Sequence, residues 1–235
     1  MSIDHLRIAI LIISFFCHSY NLRSQTIRIQ PSCPINIIIA VDFSGSELAY
    51  MDQIHRVLKD LTGTFELDSM NLKIGIITFN RGAELVLPLT SDTQKMDQVI
   101  DALRLERLVY ATDIHASIEL AYREFSQNSP RGIPKYFVLI SDGDPHAHER
   151  GFGFQADLRN IEMLKAGDPS NGIEPVHVFS LYTGGNSSFR YNFGADIIQA
   201  SINHMKTLAS DEQSFLKFEE YPRMISFFKM VSSCM

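Results

Sequence analysis

From Ile35 onward, runs of apolar residues alternate with stretches in which apolar positions recur every three or four residues. Continuous apolar runs bounded by polar residues mark strands covered on both faces, and the three-to-four spacing marks helices with one buried face. INIIIAVD (35–42), KYFVLISD (135–142) and VHVFSLYT (176–183) are of the first kind. ELAYMDQIHRVLKDLTG (47–63) is of the second: Leu48, Met51, Ile54, Val57, Leu58 and Leu61 share a face, and Gly63 is a stop signal. DTQKMDQVIDALRLE (92–106) and DIHASIELAYREFSQ (113–127) repeat the pattern, the former with Ser91 or Asp92 as its N-cap. NLKIGIITFN (71–80) and AELVLPLT (83–90) meet near Arg81 and Gly82 as a hairpin, which supplies an antiparallel edge. A helix around 196–208, a short strand SFLKFEE (214–220) and a last helix YPRMISFFKMVSS (221–233), with Pro222 near its first turn, complete the pattern.

About six strands and six helices in alternation predict an α/β fold: a doubly wound, mostly parallel six-stranded sheet with one antiparallel edge strand and helices on both faces. No repeat, low-complexity tract or linker divides this stretch, so one domain is expected over 30–235.

Ligands of such sheets bind outside the carboxyl ends of the strands. VDFSGSE (41–47) and SDGDPHAHERGFGF (141–154) both stand at strand ends, and parallel strands bring those ends, with Asp42 and Asp142, to one rim. Two converging carboxylates repel, and a hard divalent cation offsets the repulsion. Ser44 and Ser46 supply oxygen ligands, because alternate residues of a tight turn face the same way and Gly45 eases that turn. Backbone N–H groups at the helix start face the same place, and Thr112 of ATDIHAS (111–117) adds a third hydroxyl.

These residues resemble the von Willebrand factor type A domain and its metal-ion-dependent adhesion site. VDFSGSE is similar to the family's D-x-S-x-S, Thr112 to its threonine, and LISDGDP to its T-D-G through Asp142. The resemblance implies Ser44, Ser46 and Thr112 as direct ligands, with Asp42 and Asp142 binding directly or through water. It implies one position left for an Asp or Glu of a protein or extracellular-matrix partner, and Mg2+ as the ion, with Mn2+ or Ca2+ as relatives. Ala111 and Ser141 stand where a glycine and a threonine are common, and neither position supplies a ligand. Two acids against a dication make a neutral site that attracts an incoming carboxylate, unless Asp113 or Asp144 points inward.

Around this site, Asp144, His146 and Arg150 of the 144–157 loop and Phe189, Arg190 and Tyr191 of the 183–196 loop are candidates for the ligand rim. His146, His148 and Glu149 lack the defined frame of a zinc site. Asn186 opens a glycosylation sequon.

A net charge of -6 and a pI near 5.7 leave no basic patch for nucleic acid. G-x-S-x-G, H-E-x-x-H and G-x-x-x-x-G-K motifs are absent, so an enzyme is not expected. Residues 1–24 carry Arg7, an apolar run from Ile8 to Cys17 and then small and polar residues, the anatomy of a signal peptide cleaved near Ser19 or Ser24. An uncleaved anchor is the alternative; the run is shorter than the roughly 20 residues of a span. The expectation is a secreted chain, extracellular or periplasmic, with no membrane span after cleavage. Cys33 and Cys234 then bracket the domain as one disulfide or as two free thiols. A bridge would close a loop of about 200 residues, worth up to ~5 kcal/mol, and would limit travel of the last helix. The two functions that follow are a metal-dependent adhesive binder and an assembly subunit that locks a permanent partner by the same site.

Overall fold

A computed structural model describes residues 33–65, 71–103, 111–143, 153–171, 173–184 and 195–233. Six strands form one sheet: β1 (Ile35–Asp42), β2 (Leu72–Phe79), β3 (Ala83–Thr90), β4 (Lys135–Ser141), β5 (Val176–Tyr182) and β6 (Phe215–Lys217). Their order is β3-β2-β1-β4-β5-β6; β3 runs antiparallel to β2, and every other neighbouring pair is parallel. The described helices are α1 (Met51–Gly63), α2 (Thr93–Leu103), α3 (Ile114–Asn128), α4 (Gly153–Ala166), α5 (Ala195–Leu208) and α6 (Tyr221–Ser232). The winding direction reverses between β1 and β4, and ligands of doubly wound sheets bind outside the carboxyl ends of the strands at such a reversal.

Strand alternation sorts the core into two layers. Ile37, Ile39 and Val41 of β1, with Val138 and Ile140 of β4, meet Ile54, Val57 and Leu58 of α1, Ile100 of α2 and Phe228 of α6. Ile38 and Ala40, with Phe137 and Leu139, meet Ile118 and Phe125 of α3, Ile161 of α4 and Met205 of α5. Both faces of β1 and β4 are therefore covered, which is why those segments read as unbroken apolar runs. Asp92 accepts from the Lys95 N–H at 2.9 Å, so it caps α2 as expected of one of the two candidates. The Arg81–Gly82 turn joins β2 to β3, with the Asn80 N–H donating to the Gly82 carbonyl at 2.9 Å.

Three boundaries differ from the sequence reading. The strand expected over 214–220 is only Phe215–Lys217, and a 3-10 turn, Phe218–Glu220, follows it. Glu220 accepts from the Lys217 N–H at 3.0 Å, and this local bond ends the strand by turning the chain into α6. The loop expected over 144–157 gives way to α4 at Gly153. The helix expected over 47–63 opens as a 3-10 turn, Gly45–Tyr50, before α1 begins at Met51.

At the amino end of the sheet, Lys135 is buried, donating to the carbonyls of Pro130 at 3.2 Å and Ile133 at 3.0 Å and pairing with Glu174. Its hydrocarbon stem packs where an apolar residue would, and its ammonium is satisfied in place.

Candidate metal centre

Register sets the site. Val41 pairs with Ile140, and Ser141 pairs with Tyr182, so the ends of β1, β4 and β5 are level. Asp42 closes β1, Asp142 follows β4, and Thr183 follows β5; all three are buried. The Thr183 N–H donates to the Ser141 carbonyl at 3.1 Å, which continues the pairing one residue past the strands.

After Asp42 the chain folds over its own strand end. The Ser44 N–H donates to Asp42 Oδ1 at 2.8 Å, and the Ser141 hydroxyl donates to Asp42 Oδ2 at 2.6 Å, so both carboxylate oxygens are held. Ser44 Oγ lies 2.9 Å from Ser46 Oγ, as the alternate spacing in D-x-S-x-S requires. The Glu47 N–H donates to the Ser44 carbonyl at 3.1 Å and starts the 3-10 turn.

That turn changes which residues point inward. A 3-10 turn has three residues per turn and an α-helix 3.6, so a pattern counted back from α1 at helical spacing slips by one position. Leu48, expected in the apolar face, is 66% exposed, and Glu47 takes the inward place at 0%. The Thr183 hydroxyl donates to Glu47 Oε1 at 2.6 Å, and a backbone hydrogen bond from Asp142 reaches the same carboxylate. Glu47 Oε2 has no hydrogen-bond partner among the described residues.

Asp42, Glu47 and Asp142 each bring a carboxylate oxygen within 4.8 Å of the others. Burial, and then the charge of Asp142, push the Asp42 pKa up from 3.8 to about 8. The same burial, with the charges of Asp142 and Asp42, holds Glu47 well above the ordinary carboxylate range. Three buried acids at this separation are short of positive charge, and among the described residues the side chains gathered with them, Ser44 and Ser46, offer oxygen atoms as ligands. That donor set fits a hard divalent cation.

Gly143 shapes the Asp142 turn. Its φ is +62°, and a Cβ there would stand 2.6 Å from Met205 Cγ of α5. The glycine lets the backbone pass α5 while its N–H donates to Ser141 Oγ at 3.0 Å, which fixes the hydroxyl that holds Asp42. Thr112 is buried just before α3, and the next residue, Asp113, donates its N–H to the Asn80 carbonyl at 2.7 Å. That bond ties the segment to the carboxyl end of β2, on the rim that holds Asp42. The Asp113 side chain accepts from the Ala116 N–H at 3.0 Å and so caps α3. His115 meets Asn160 at 2.9 Å and Glu119 at 3.4 Å.

Of the residues singled out in the sequence, Asp42, Ser44, Ser46 and Asp142 are gathered at the junction of β1 and β4, with Thr112 on the same rim. Asp144, His146, His148, Glu149 and Arg150, then Asn186, Phe189, Arg190 and Tyr191, and also Cys234 and residues 1–24 with Cys17, lie outside the described residues. Sequence reasoning missed three polar members: Glu47, Thr183 and the Ser141 hydroxyl. The available signals were an acid directly after D-x-S-x-S and a hydroxyl residue at the end of each of two neighbouring strands.

A family model described as von Willebrand factor type A domain matches residues 36–220. Solved structures with a similar fold include a conserved hypothetical protein BatB from Bacteroides thetaiotaomicron, 20% identical, with 85% of this chain and 100% of that one covered at a TM-score of 0.57. Another is the vWF domain of the type V pili tip protein Mfa5 from Porphyromonas gingivalis, 11% identical, with 86% and 97% covered at a TM-score of 0.57. The pilus adhesin SpaC from Lactobacillus rhamnosus GG is 11% identical, with 87% of this chain and 31% of that one covered at a TM-score of 0.64.

Proposed function

This chain belongs to the von Willebrand factor type A domain family, and we propose that it is an exported binding protein whose rim holds a divalent cation for an acidic residue of a protein or matrix partner. The observation that carries this reading is the convergence of Asp42, Glu47 and Asp142, all buried, beside the paired hydroxyls of Ser44 and Ser46. Asp42, Ser44, Ser46, Thr112 and Asp142 are the proposed holders of the ion. When bound, the cation supplies a hard electrophilic centre that accepts a partner's Asp or Glu carboxylate as a ligand.

The chain's own part is to hold the donors in place beforehand. The Ser44 N–H and the Ser141 hydroxyl fix the two oxygens of Asp42, and the Thr183 hydroxyl fixes Glu47. Ser44 Oγ faces Ser46 Oγ, an arrangement of two ligands and not of a nucleophile beside its base. Binding, not turnover, is therefore the proposed activity. The similarity in fold to a pilus adhesin and to a pili tip protein supports an adhesive or assembly role by analogy.

Export through residues 1–24 and selectivity from Asp144, His146, Arg150, Phe189, Arg190 and Tyr191 are parts of the same proposal. So is a Cys33–Cys234 bridge: the Cys33 N–H donates to the Ser232 carbonyl at 3.0 Å, which brings the start of β1 beside the end of α6. Among the described residues, no helix is long and apolar enough to cross a membrane.

A second reading is a permanent assembly partner locked by the same site, and the similarity in fold to a pili tip protein is the observation that favours it. A pull-down from native extracellular material separates the possibilities, run with Mg2+ or Ca2+, with chelator, and with Asp42→Ala. The proposal expects capture only in the first condition. Recovery of the same proteins in all three refutes metal-dependent binding. Prompt release by chelator identifies an adhesive ligand, and retention once assembled identifies a permanent partner.

A further inference from the structure

We propose that Glu47 is an additional protein ligand of the cation, beyond the five positions named above, and that it makes the site select Ca2+ over Mg2+. The inference rests on the reading that the rim binds a cation at all.

Glu47 is 0% exposed, and one of its carboxylate oxygens lies within 4.8 Å of those of Asp42 and Asp142. Its two oxygens differ. Oε1 is held by the Thr183 hydroxyl at 2.6 Å. Oε2 is buried with no hydrogen-bond partner among the described residues. A buried carboxylate oxygen without a donor is rare in folded proteins, and a bound cation is one of the partners that accounts for it. Thr183 lies at the end of β5 and Glu47 on the turn after β1, so the fold braces this side chain from a strand two positions away across the sheet. That bracing holds the carboxylate beside the other two acids.

Cation choice follows from counting donors. Asp42, Glu47 and Asp142 provide three carboxylates, and with Ser44, Ser46 and Thr112 as the hydroxyl ligands of the proposed site the protein oxygens come to six. Ca2+ takes about six to eight oxygens in flexible geometry, whereas Mg2+ keeps several waters and is bound through about one or two carboxylates. A site with six protein oxygens leaves Mg2+ little room for its waters. It leaves Ca2+ one or two positions, enough for a partner's carboxylate. The absence of nitrogen and sulfur donors among Asp42, Glu47 and Asp142 and the neighbouring serines disfavours zinc.

The test is calorimetric titration of the whole domain, stripped of metal, with CaCl2 and with MgCl2. Wild type is compared with Glu47→Gln, which keeps an acceptor for Thr183, and with Glu47→Met, which fills the space with an apolar chain. Thermal denaturation without metal checks that each variant is folded. Wild type should bind Ca2+ at least about tenfold more tightly than Mg2+, and the variants should lose about 10- to 100-fold in Ca2+ affinity, with a smaller loss for Mg2+. Equal or tighter Mg2+ binding by wild type, or variants within about twofold of wild type for Ca2+, overturns the inference. In that case cation binding itself still stands. A folded wild-type domain that gives no heat and no thermal shift with either ion removes the metal-binding reading as well.

Discussion

With no cation bound, raising the pH turns the buried acids against the fold. Asp42 ionises near 3.8 in an unfolded chain and near 8 in the folded one, because burial and the charge of Asp142 oppose its ionisation. Between those values the folded state holds more protons than the unfolded state. Stability contributed by this protonation is complete below the unfolded value and is lost as pH rises through the folded value. At 1.36 kcal/mol for each pH step, going from about pH 5.5 to about pH 8 removes ~3 kcal/mol of stability through Asp42. For a domain of roughly 200 residues that corresponds to a fall in Tm of about 6–12 °C. Glu47 is raised by the same causes and adds in the same direction. Asp42→Asn keeps an acceptor for the Ser44 N–H and removes the charge. The variant should have a flatter profile and, in chelator, a higher Tm at pH 8 than wild type. Added Ca2+ should reverse the wild-type trend, since the ion binds the deprotonated site, and should do little for the variant. Thermal unfolding followed by circular dichroism across this range, with chelator and with Ca2+, reads all of this. A wild-type Tm in chelator that is flat or rising from about pH 5.5 to about pH 8, or an Asp42→Asn profile parallel to wild type, refutes the reasoning.

Elsewhere, Glu174→Gln should cost about 3 kcal/mol in urea denaturation, because it leaves the buried Lys135 ammonium with carbonyls alone. Hydrogen bonds from Lys135 and from the Gly132 N–H hold the Glu174 carboxyl at about 2, down from 4.5, so its contribution is complete above 4.5, declines as pH drops below that value and is gone once pH has fallen through about 2. A wild-type acid-unfolding curve matching that of Glu174→Gln would contradict this. Gly143→Ala combines a φ of +62° with a Cβ 2.6 Å from Met205 Cγ. It should lose about 2–3 kcal/mol of stability, and cation affinity with it; normal calcium titration by a folded variant would sever Gly143 from the site. Leu48→Gln should change Tm by no more than about 1 °C, since the side chain is 66% exposed; a large loss would mean that the turn packs differently.

The sheet was readable because its central strands are buried on both faces and so cannot be confused with amphipathic helices of similar length. INIIIAVD and KYFVLISD show this as nearly unbroken apolar runs, and the first helix between them shows its covered face at Ile54, Val57, Leu58 and Leu61. Asp42, Ser44, Ser46 and Asp142 were readable for a related reason: a polar cluster where a buried strand ends is costly unless it has a task. The short elements were not readable. Phe215–Lys217 is too short to carry a period, and Phe218–Glu220 is closed by one local bond from the Lys217 N–H.

What local pattern specifies in this chain is therefore the order of elements, the covered faces and two acids brought to one rim. Glu47 belongs to the other class. Its inward turn depends on a 3-10 start to α1, which helical spacing misassigns to Leu48, and on Thr183, 136 residues away in the chain. The hold of Ser141 on Asp42 spans 99 residues and exists only because β1 and β4 are level neighbours. Periodicity is a property of a dozen adjacent residues, whereas the charge and donor count of a site are summed over strand ends that meet only when the sheet closes.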